Sequence, residues 1–457
     1  MSTQLTSSYD SNSTNVNENN NQLLQEAIKQ KGISKKRLKI YLDKLSNKED
    51  VSNFAFTFPK TKDEAKEWTY NFWNNQPVTQ LSQKSTLSKV IDSKLLNTLK
   101  EKYSTQTKML EPYEWKTFDL NNDNDAIQVV DILNTYYVEG DDTNKFIQIY
   151  TVNYLQWLLG KDSIVFGVKA QTKTKEVIGG IICAKISEMQ LYNKKENVVN
   201  VEMIYIHKKL RENGIFELLV NELKRICGEK GIRIGKFLTT SYIPTPVCKV
   251  EFYHRPINYR KLNKLDFVHL KKQGDANELE LACDDFKITQ TDSKSVILTV
   301  NHIQGAYDVL CDYQDKYNIY EKHSLESFIE TFYNNNCISS YVILDKDENV
   351  QDFFSYYKFS LRNKDILDRN SENHIRVARM YMYTSNITTP LTIYKSALIC
   401  ANNENIDVFT TTDIMENLEI LYDNYSKFSK GITYKWINFY NWECPEISPE
   451  HISIPIF

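Results

Sequence analysis

The spacing of apolar residues predicts alternating helices and strands from about residue 115 onward. Residues 126–137 and 215–227 place apolar side chains every three or four positions, which is the spacing of an amphipathic helix. Short apolar runs between and after these helices are typical of strands. The predicted strands are residues 164–168, 177–186, 198–206 and 237–240. The first part of the chain therefore predicts the order helix, three strands, helix, strand.

The second part of the chain repeats this order loosely. Its predicted helices are residues 303–317, 325–332 and 393–401. Its predicted strands are residues 340–344, 352–357, 377–384, 408–411 and 434–440. No repeat is visible in the residues themselves, so the indication of a duplication rests on the order of the elements. The expected fold class is mixed α/β, built from two similar halves.

Composition divides the chain into three parts. Residues 1–22 are mostly Ser, Thr, Asn and Gln, which cannot bury enough apolar surface to offset the entropy of ordering. Residues 1–61 are therefore expected to form a disordered, low-complexity extension with room for one or two short helices. The predicted domains are residues 62–290 and 291–457, and residues 82–103 are expected to be a loop.

The bulk composition narrows the range of functions. The 457 residues are 41% hydrophobic and 25% charged, which is ordinary for a globular protein. The net charge of −3 gives no basic footprint, so nucleic acid is not an expected partner. The eight cysteines form no C-x-x-C pair, and neither a signal peptide nor a membrane-spanning stretch is visible. A reduced, cytoplasmic setting is expected.

One strand–turn–helix unit has the features of a phosphate site. The apolar run at residues 198–206 leads into a polar turn that contains Arg211 and Gly214, and a helix begins at Ile215. The N-terminus of a helix favours an anion, and glycine permits close approach of the backbone. A CoA pyrophosphate fits such a turn. Many strand–turn–helix units contain Gly and Arg without binding phosphate, so a plain structural turn is the alternative.

Three strings of residues resemble signatures of the N-myristoyltransferase family. Residues 70–78, YNFWNNQPV, are similar to the family's Y-x-F-W-x-T-Q-P-V. Residues 206–211, IHKKLR, match the segment that follows the family's oxyanion-hole strand. Residues 244–262, PTPVCKVEFYHRPINYRKL, resemble its R-x-x-H-R-x-I-N-x-x-K-L stretch. The resemblance implies two tandem GNAT-like acyltransferase halves related by a pseudo-two-fold axis.

The family resemblance also implies a reaction and its partners. The reaction is transfer of a myristoyl group from myristoyl-CoA to the N-terminal glycine amine of a peptide or protein. Myristoyl-CoA is then a co-substrate, and no cofactor or metal is expected. The acceptors are expected to include nascent chains at the ribosome, and the enzyme is expected to be a monomer.

Individual roles follow from the same resemblance. The terminal carboxylate, on Phe457, would be the catalytic base, and the backbone N–H groups of Met203 and Ile204 would form the oxyanion hole. The residues implied to bind myristoyl-CoA are Tyr70, Phe72, Trp73, Ile206, Arg211, Gly214 and Ile215. The residues implied to meet the peptide are Glu139, Asp141, Asp142 and His254.

A base at the chain end has to be buried. A free α-amino group titrates near ~8 and an α-carboxyl near ~3.5, so proton transfer between them is uphill by roughly 6 kcal/mol in water. Burial raises the pKa of a carboxyl group and narrows this gap. Residues 451–457, HISIPIF, are apolar enough for burial. We therefore expect the chain end inside the protein, with a frayed terminus as the alternative.

Several residues depart from the family pattern. The family's basic turn is Glu212, Asn213 and Gly214 here, and the family's Asn before the oxyanion pair is Glu202. The family's G-x-G-D-G loop has lost its Asp at residues 429–432. These changes leave two alternatives open. One is a catalytically impaired relative, and the other is an acyltransferase with a different acyl or amine specificity.

Other reactive side chains have plain structural interpretations. A hydrogen-bonding role accounts for His254 as well as a peptide contact does. Cys183 and Cys248 have no base partner that the sequence reveals, so they are expected to be buried, unreactive thiols.

Overall fold

The computed structural model describes residues 59–457 apart from 138–144, 172–175, 212, 334, 367, 369 and 424–425. The helices of these residues are α1 Lys62–Lys66, α2 Leu95–Lys102, α3 Asp123–Tyr136, α4 Val152–Leu159, α5 Ile215–Glu229, α6 Tyr259–Lys264, α7 Ala276–Phe286, α8 Ile303–Gln314, α9 Leu325–Phe332, α10 Pro390–Asn403 and α11 Asn417–Leu421. The strands are β1 Lys89–Val90, β2 Tyr113–Thr117, β3 Phe146–Ile149, β4 Ser163–Gln171, β5 Glu176–Leu191, β6 Lys194–Ile206, β7 Ile234–Thr239, β8 Cys248–Pro256, β9 Val296–Ile297, β10 Ile319–Lys322, β11 Ile338–Leu344, β12 Val350–Asn363, β13 His374–Tyr383, β14 Val408–Thr412, β15 Ser429–Tyr440, β16 Trp442–Glu443 and β17 Ile452–Ser453. The extension expected at residues 1–61 lies almost entirely outside the described residues.

Local sequence accounts for how these helices begin. The Asn122 side chain accepts two backbone N–H groups in the first turn of α3. Thr389 caps α10 in the same way, and Pro390 supplies its first residue. Helix α5 differs, because it begins after Gly214 in the left-handed region, at φ 75°, without a side-chain cap. Its first N–H groups therefore have no side-chain acceptor at the cap position.

Most strands join in one mixed sheet that runs through both halves. Its order is β17-β10-β5-β6-β7-β15-β8-β14-β13-β12-β11-β9, with β4 and β2 continuing from β5, and β3 paired with β12. The β6–β7, β13–β14 and β10–β17 pairs are parallel. The remaining pairs in this sheet are antiparallel.

The two halves exchange strands reciprocally. Strands β3 to β8 and β10 to β15, with their helices, follow the same order of elements. The last strand of the first series, β8, pairs with β14 of the second, and the last strand of the second series, β15, pairs with β7 of the first. Likewise β10 pairs with β5 and β3 pairs with β12. This symmetric exchange is the pseudo-two-fold relation.

The same irregularity recurs in both halves. The β5–β6 register passes from Cys183 opposite Met203 to Ala184 opposite Val201, which leaves Glu202 as a bulged residue. The β12–β13 register passes from Ser355 opposite Met382 to Tyr356 opposite Met380, which leaves Tyr381 in the corresponding place. The bulge thus belongs to the repeated unit.

The predicted duplication and the mixed α/β class are confirmed. Residues 325–332 form α9 with the predicted bounds, and the other predicted elements are present, most of them with longer ends. The prediction of a loop at residues 82–103 was partly wrong, because this segment contains β1 and α2. Strand β8 was not predicted, although Cys248, Val250 and Phe252 alternate with polar residues and are buried.

The interior shared by the two halves is rich in aromatic side chains. The fully buried ones include Tyr356, Tyr357, Tyr383, Tyr394, Phe328, Phe332, Phe353, Phe354, Phe409 and Trp442. Many of their rings meet edge to face, as Phe332 and Phe353 do at 88° and 5.3 Å between centroids. Such rings lose little side-chain entropy for the area they bury, so the interior between the two halves is rigid.

The close approach of β4 and β5 gives a test of the fold. A methyl group on Gly167 would overlap the backbone carbonyl oxygen of Gly180, which cannot swing aside as a side chain can. We expect Gly167→Ala to lower the free energy of unfolding by about 1–3 kcal/mol, measured by urea denaturation. Gly235→Ala is the control, because its methyl would meet Tyr440 at an ordinary 3.4 Å. Equal stability of the two variants would contradict the packing described.

Candidate active site

A large apolar cleft lies between α5, the strands β5 to β7 and residues 68–73. Its volume is about 690 Å³. The residues of the family-implied acyl-CoA set that line it are Tyr70, Phe72, Trp73, Ile206, Arg211 and Gly214, and the two residues implied to form the oxyanion hole, Met203 and Ile204, line it as well. Ile215 does not line the cleft, since its side chain packs against Gly180 on the inner face of α5.

Aromatic rings form one wall of the cleft. Trp73 stacks on Phe237 at 5.1 Å between centroids, and Phe72 meets Phe216 edge to face at 5.2 Å. Tyr70 has a different place, because its ring is only 3% exposed and its hydroxyl donates to the Tyr242 carbonyl. Tyr70 therefore anchors the segment that carries the other two rings.

The turn before α5 opens onto the same cleft. Arg211 donates from Nε to the Ile206 carbonyl at 3.1 Å, which ties the turn to the end of β6. A methyl group built on Gly214 would meet nothing within 4 Å, so a ligand has room to reach the helix N-terminus. Glu212 lies outside the described residues. The uncapped N–H groups of α5 and the cation at Arg211 suit an anion here.

The sequence analysis did not identify two positively charged residues that line the cleft. Lys224 lies on α5, 5.6 Å from the Phe72 ring centroid, and donates to Gln76 at 2.6 Å. Arg233 lies just before β7 and pairs with Glu196 at 3.1 Å. The periodicity of α5 could have revealed Lys224, because it lies two turns beyond the cleft-lining Glu217 on the same helical face.

The bulge at Glu202 lies where Met203 and Ile204 line the cleft. Met203 is buried, with 4% exposure, and Glu202 is also among the residues that line the cleft. A bulge disrupts the ladder locally and leaves backbone groups without their regular partners. This is the kind of backbone that an oxyanion hole uses.

The chain end lies inside the protein, as expected. Strand β17 pairs with β10, and Ile454 and Ile456 are buried. Tyr357 and Arg379 both donate to the Ile456 carbonyl, at 3.1 and 3.3 Å. Phe457 is partly buried. These bonds fix the residue before the terminal carboxylate.

An aromatic cage surrounds the Phe457 ring. Its centroid lies 5.3 Å from that of Tyr357 and 6.0 Å from those of Trp157 and Tyr381. The Lys185 ammonium lies 5.5 Å from the same ring. Lys185 is on β5 three residues after the cleft-lining Ile182, so alternation along the strand directs its side chain to the opposite face of the sheet. The cleft and the chain end therefore lie on either side of the bulged β5–β6 pair.

His254, from the stretch at residues 244–262, and Gly431, from the loop at residues 429–432, lie in contact. A methyl group on Gly431 would fall 2.6 Å from Nε2 of His254. The other ring nitrogen, Nδ1, lies 3.1 Å from the Thr410 hydroxyl. Burial, with the nearby Arg379 charge, lowers the pKa of His254 to about 4. The ring is thus neutral at pH 7.

Glu139, Asp141 and Asp142, the acidic residues expected to meet the peptide, lie outside the described residues.

Two family models match most of this chain. The N-terminal domain of myristoyl-CoA:protein N-myristoyltransferase matches residues 91–250, and the C-terminal domain matches residues 266–453. A glycylpeptide N-tetradecanoyltransferase of Drosophila melanogaster is 29% identical over 392 residues, which cover 84% of this chain and 80% of the relative. A probable glycylpeptide N-tetradecanoyltransferase of Caenorhabditis elegans is 26% identical over 422 residues, which cover 89% and 90%.

A solved structure shares the fold. The crystal structure of Saccharomyces cerevisiae N-myristoyltransferase with bound myristoyl-CoA superposes with a TM-score of 0.75 at 21% identity, covering 85% of this chain and 99% of that one. The matching family models and relatives make the chain an acyltransferase. The chain belongs to the myristoyl-CoA:protein N-myristoyltransferase family.

The described part of the chain holds no helix that is both long and apolar enough to cross a membrane. Within the same residues, His, Cys, Asp and Glu side chains nowhere gather in a group of three or more that could hold a metal.

The environment of His254 predicts a pH effect on stability. Its pKa falls from 6.5 when unfolded to about 4 when folded, so only the unfolded chain takes up this proton between those values. The contribution is absent above pH 6.5, and stability is lost as the pH falls toward 4, by up to roughly 3 kcal/mol. We expect the stability advantage of the wild type over His254→Asn to shrink across this window in urea titrations. His269→Asn, at a side chain that is 67% exposed, is the control. A constant advantage would contradict the burial of His254.

Proposed function

We propose that this chain transfers a myristoyl group from myristoyl-CoA to the N-terminal glycine amine of proteins. In this proposal the Phe457 α-carboxylate is the base, and the backbone N–H groups of Met203 and Ile204 stabilise the oxyanion. One observation carries the proposal: the apolar cleft and the buried chain end approach the same β5–β6 bulge from opposite faces of the sheet.

The cleft fits the two ends of an acyl-CoA. Its walls of Ile182, Val199, Val201 and neighbouring apolar residues suit a hydrocarbon chain. The uncapped N-terminus of α5 and Arg211 suit the CoA phosphates. The thioester then lies between these two parts, beside the bulge.

Direct transfer is the chemistry that these residues support. The chain-end carboxylate takes one proton from the glycine ammonium, and the amine lone pair attacks the thioester carbon. The negative charge that develops on the carbonyl oxygen is met by the two N–H groups. The C–S bond then breaks, and the CoA thiolate takes the second proton from the nitrogen as the amide forms.

A cysteine acyl-enzyme is not favoured. Cys183 lies directly opposite Met203 in the sheet, but burial raises the pKa of its thiol to about 12. Burial raises the pKa of Cys248 as well. A thiol must ionise to act as a nucleophile, so neither side chain competes with the amine for the acyl group.

The finer features of the proposal follow the family resemblance. The acceptors include nascent chains at the ribosome, the enzyme works as a monomer in the cytoplasm, and residues 62–290 and 291–457 are its two domains. Glu139, Asp141, Asp142 and His254 contact the acceptor.

The reaction is tested with purified protein, myristoyl-CoA and two peptides that differ only in a first residue of Gly or Ala. We expect the mass of a myristoyl group to appear on the Gly peptide alone, by mass spectrometry. Myristoyl-CoA binding without transfer would contradict the proposed reaction and favour an impaired relative. Faster transfer of another acyl chain would favour a different acyl specificity.

The role of the chain end is tested by changing one functional group. The native Cys444 allows residues 1–443 to be ligated to a synthetic peptide of residues 444–457 that ends in a carboxylate or a carboxamide. We expect the carboxamide to lower kcat by roughly 10²–10⁴-fold, the range of general base catalysis, with an unchanged melting temperature. The ligated carboxylate form is the control. Equal kcat values would contradict the base role.

A further inference from the structure

A second cavity lies between α4, α9 and the strands β5 and β10. Its volume is about 720 Å³, within the roughly 300–1,000 Å³ of small-molecule sites. Among the described residues, it has no lining residue in common with the apolar cleft. Much of its wall carries uncharged hydroxyl and amide groups, which belong to Asn153, Ser187, Ser324, Ser327, Thr331 and Asn335. The cavity is therefore a separate, hydrophilic site that the proposed transfer does not use.

Three largely buried side chains form the floor of this cavity. Lys185 on β5 and Glu321 on β10 face each other, with 13% and 8% of their side chains exposed. Their nitrogen and oxygen atoms are 3.5 Å apart, longer than the roughly 2.7–2.9 Å of a charge-assisted hydrogen bond. His323 is two residues after Glu321, on the same face of the strand, and is 5% exposed. The ammonium and the carboxylate thus retain hydrogen-bonding capacity for a ligand.

The imidazole of His323 has a nitrogen without a partner. Its Nε2 is buried and has no hydrogen-bond partner within the described part of the chain. The Ser327 hydroxyl donates to the Ser324 carbonyl at 3.0 Å, so its oxygen accepts from Nδ1 of His323, 3.5 Å away. Burial lowers the pKa of His323, so the ring is neutral at pH 7. Nε2 therefore carries the lone pair and lacks a donor.

The charges around the cavity are of both signs. Lys161 pairs with Glu330 at 2.9 Å, and Glu188 pairs with a lysine of β6 at 2.8 Å. The two other charged residues of the lining, Asp162 and Lys322, have opposite charges. A ligand without net charge suits this balance, whereas a lone anion or cation would add uncompensated charge beside the floor.

We propose that this cavity binds a free α-amino acid as a zwitterion. The ligand carboxylate accepts from Lys185, and the ligand ammonium donates to Glu321 and to Nε2 of His323. Each floor group then gains the partner that it lacks, and the four charges alternate in sign. The amides of Asn153 and Asn335 favour a ligand side chain that both donates and accepts, as the side chain of glutamine does.

A water-filled hollow is the structural alternative. In this alternative, water donates to Nε2 of His323, and Lys185 and Glu321 only neutralise each other. The two interpretations differ in what they require of a ligand, because water in the hollow gives no selection for a molecule that carries both an ammonium and a carboxylate.

The probes are L-glutamine and two derivatives that each lack one charge. N-acetyl-L-glutamine has no ammonium, and L-glutaminamide has no carboxylate. Each probe is titrated by calorimetry into the purified 457-residue protein at pH 7, without acyl-CoA. We expect saturable binding of glutamine and roughly 10–100-fold weaker binding of both derivatives, because each loses hydrogen bonds to a charged group. No transfer is measured, so this result does not depend on the proposed function.

Two variants test the floor of the cavity. His323→Phe retains a flat ring beside Phe332, whose centroid is 5.3 Å away, but removes the acceptor nitrogen. Glu321→Gln retains the shape of the side chain but removes its charge. His269→Phe is the matched control, because this side chain is 67% exposed and lies outside the cavity. Melting temperatures confirm that each variant is folded.

We expect glutamine to bind His323→Phe and Glu321→Gln at least about tenfold more weakly than the wild type, and His269→Phe with wild-type affinity. The proposal would be overturned if glutamine did not bind, or if either derivative bound as tightly as glutamine. Wild-type affinity in both floor variants would overturn it as well.

Discussion

The pairing of β8 with β15 is the interaction on which the rest of this molecule depends. Each strand is the last of its own series, and each also pairs with a strand of the other half. Backbone hydrogen bonds across three successive pairs therefore hold the halves together, in addition to the side chains of the shared interior. This fixes the distance between the cleft of the first half and the tail that closes the second. Catalytic geometry demands such rigidity, since misplacement by about 1 Å can cost 10²-fold in rate.

Burial has two consequences in the interior beside the bulge. It keeps the Cys183 thiol protonated and unreactive. It also holds tyrosine hydroxyls as neutral donors, so Tyr357 can hold the Ile456 carbonyl without adding charge. The charges that remain in the interior are few and mostly paired, as Lys185 and Glu321 are.

Much of this architecture could be predicted from periodicity. Helices such as α5 and α9, and strands such as β6, have a regular pattern of apolar residues, because one face of each packs against the core. Strand exchange could not be predicted, since β8 and β15 meet across a sequence separation that no local pattern records. The bulge at Glu202 was equally hidden, because a single extra residue leaves the alternation of the strand almost unchanged. The cleft residues from 70 to 73 were found through resemblance, as their segment contains only a short 3-10 turn.

The second bulge, at Tyr381, shows what duplication did to this fold. It occupies the same place in its half as Glu202 does in the first, yet Tyr381 is 3% exposed and packs against Phe332 and Phe457. The first bulge borders a cleft with room for a ligand, whereas at the second bulge the ring of Phe457, from the protein's own tail, packs against Tyr381. The duplicated irregularity therefore borders a ligand cleft in one half and holds the chain end in the other.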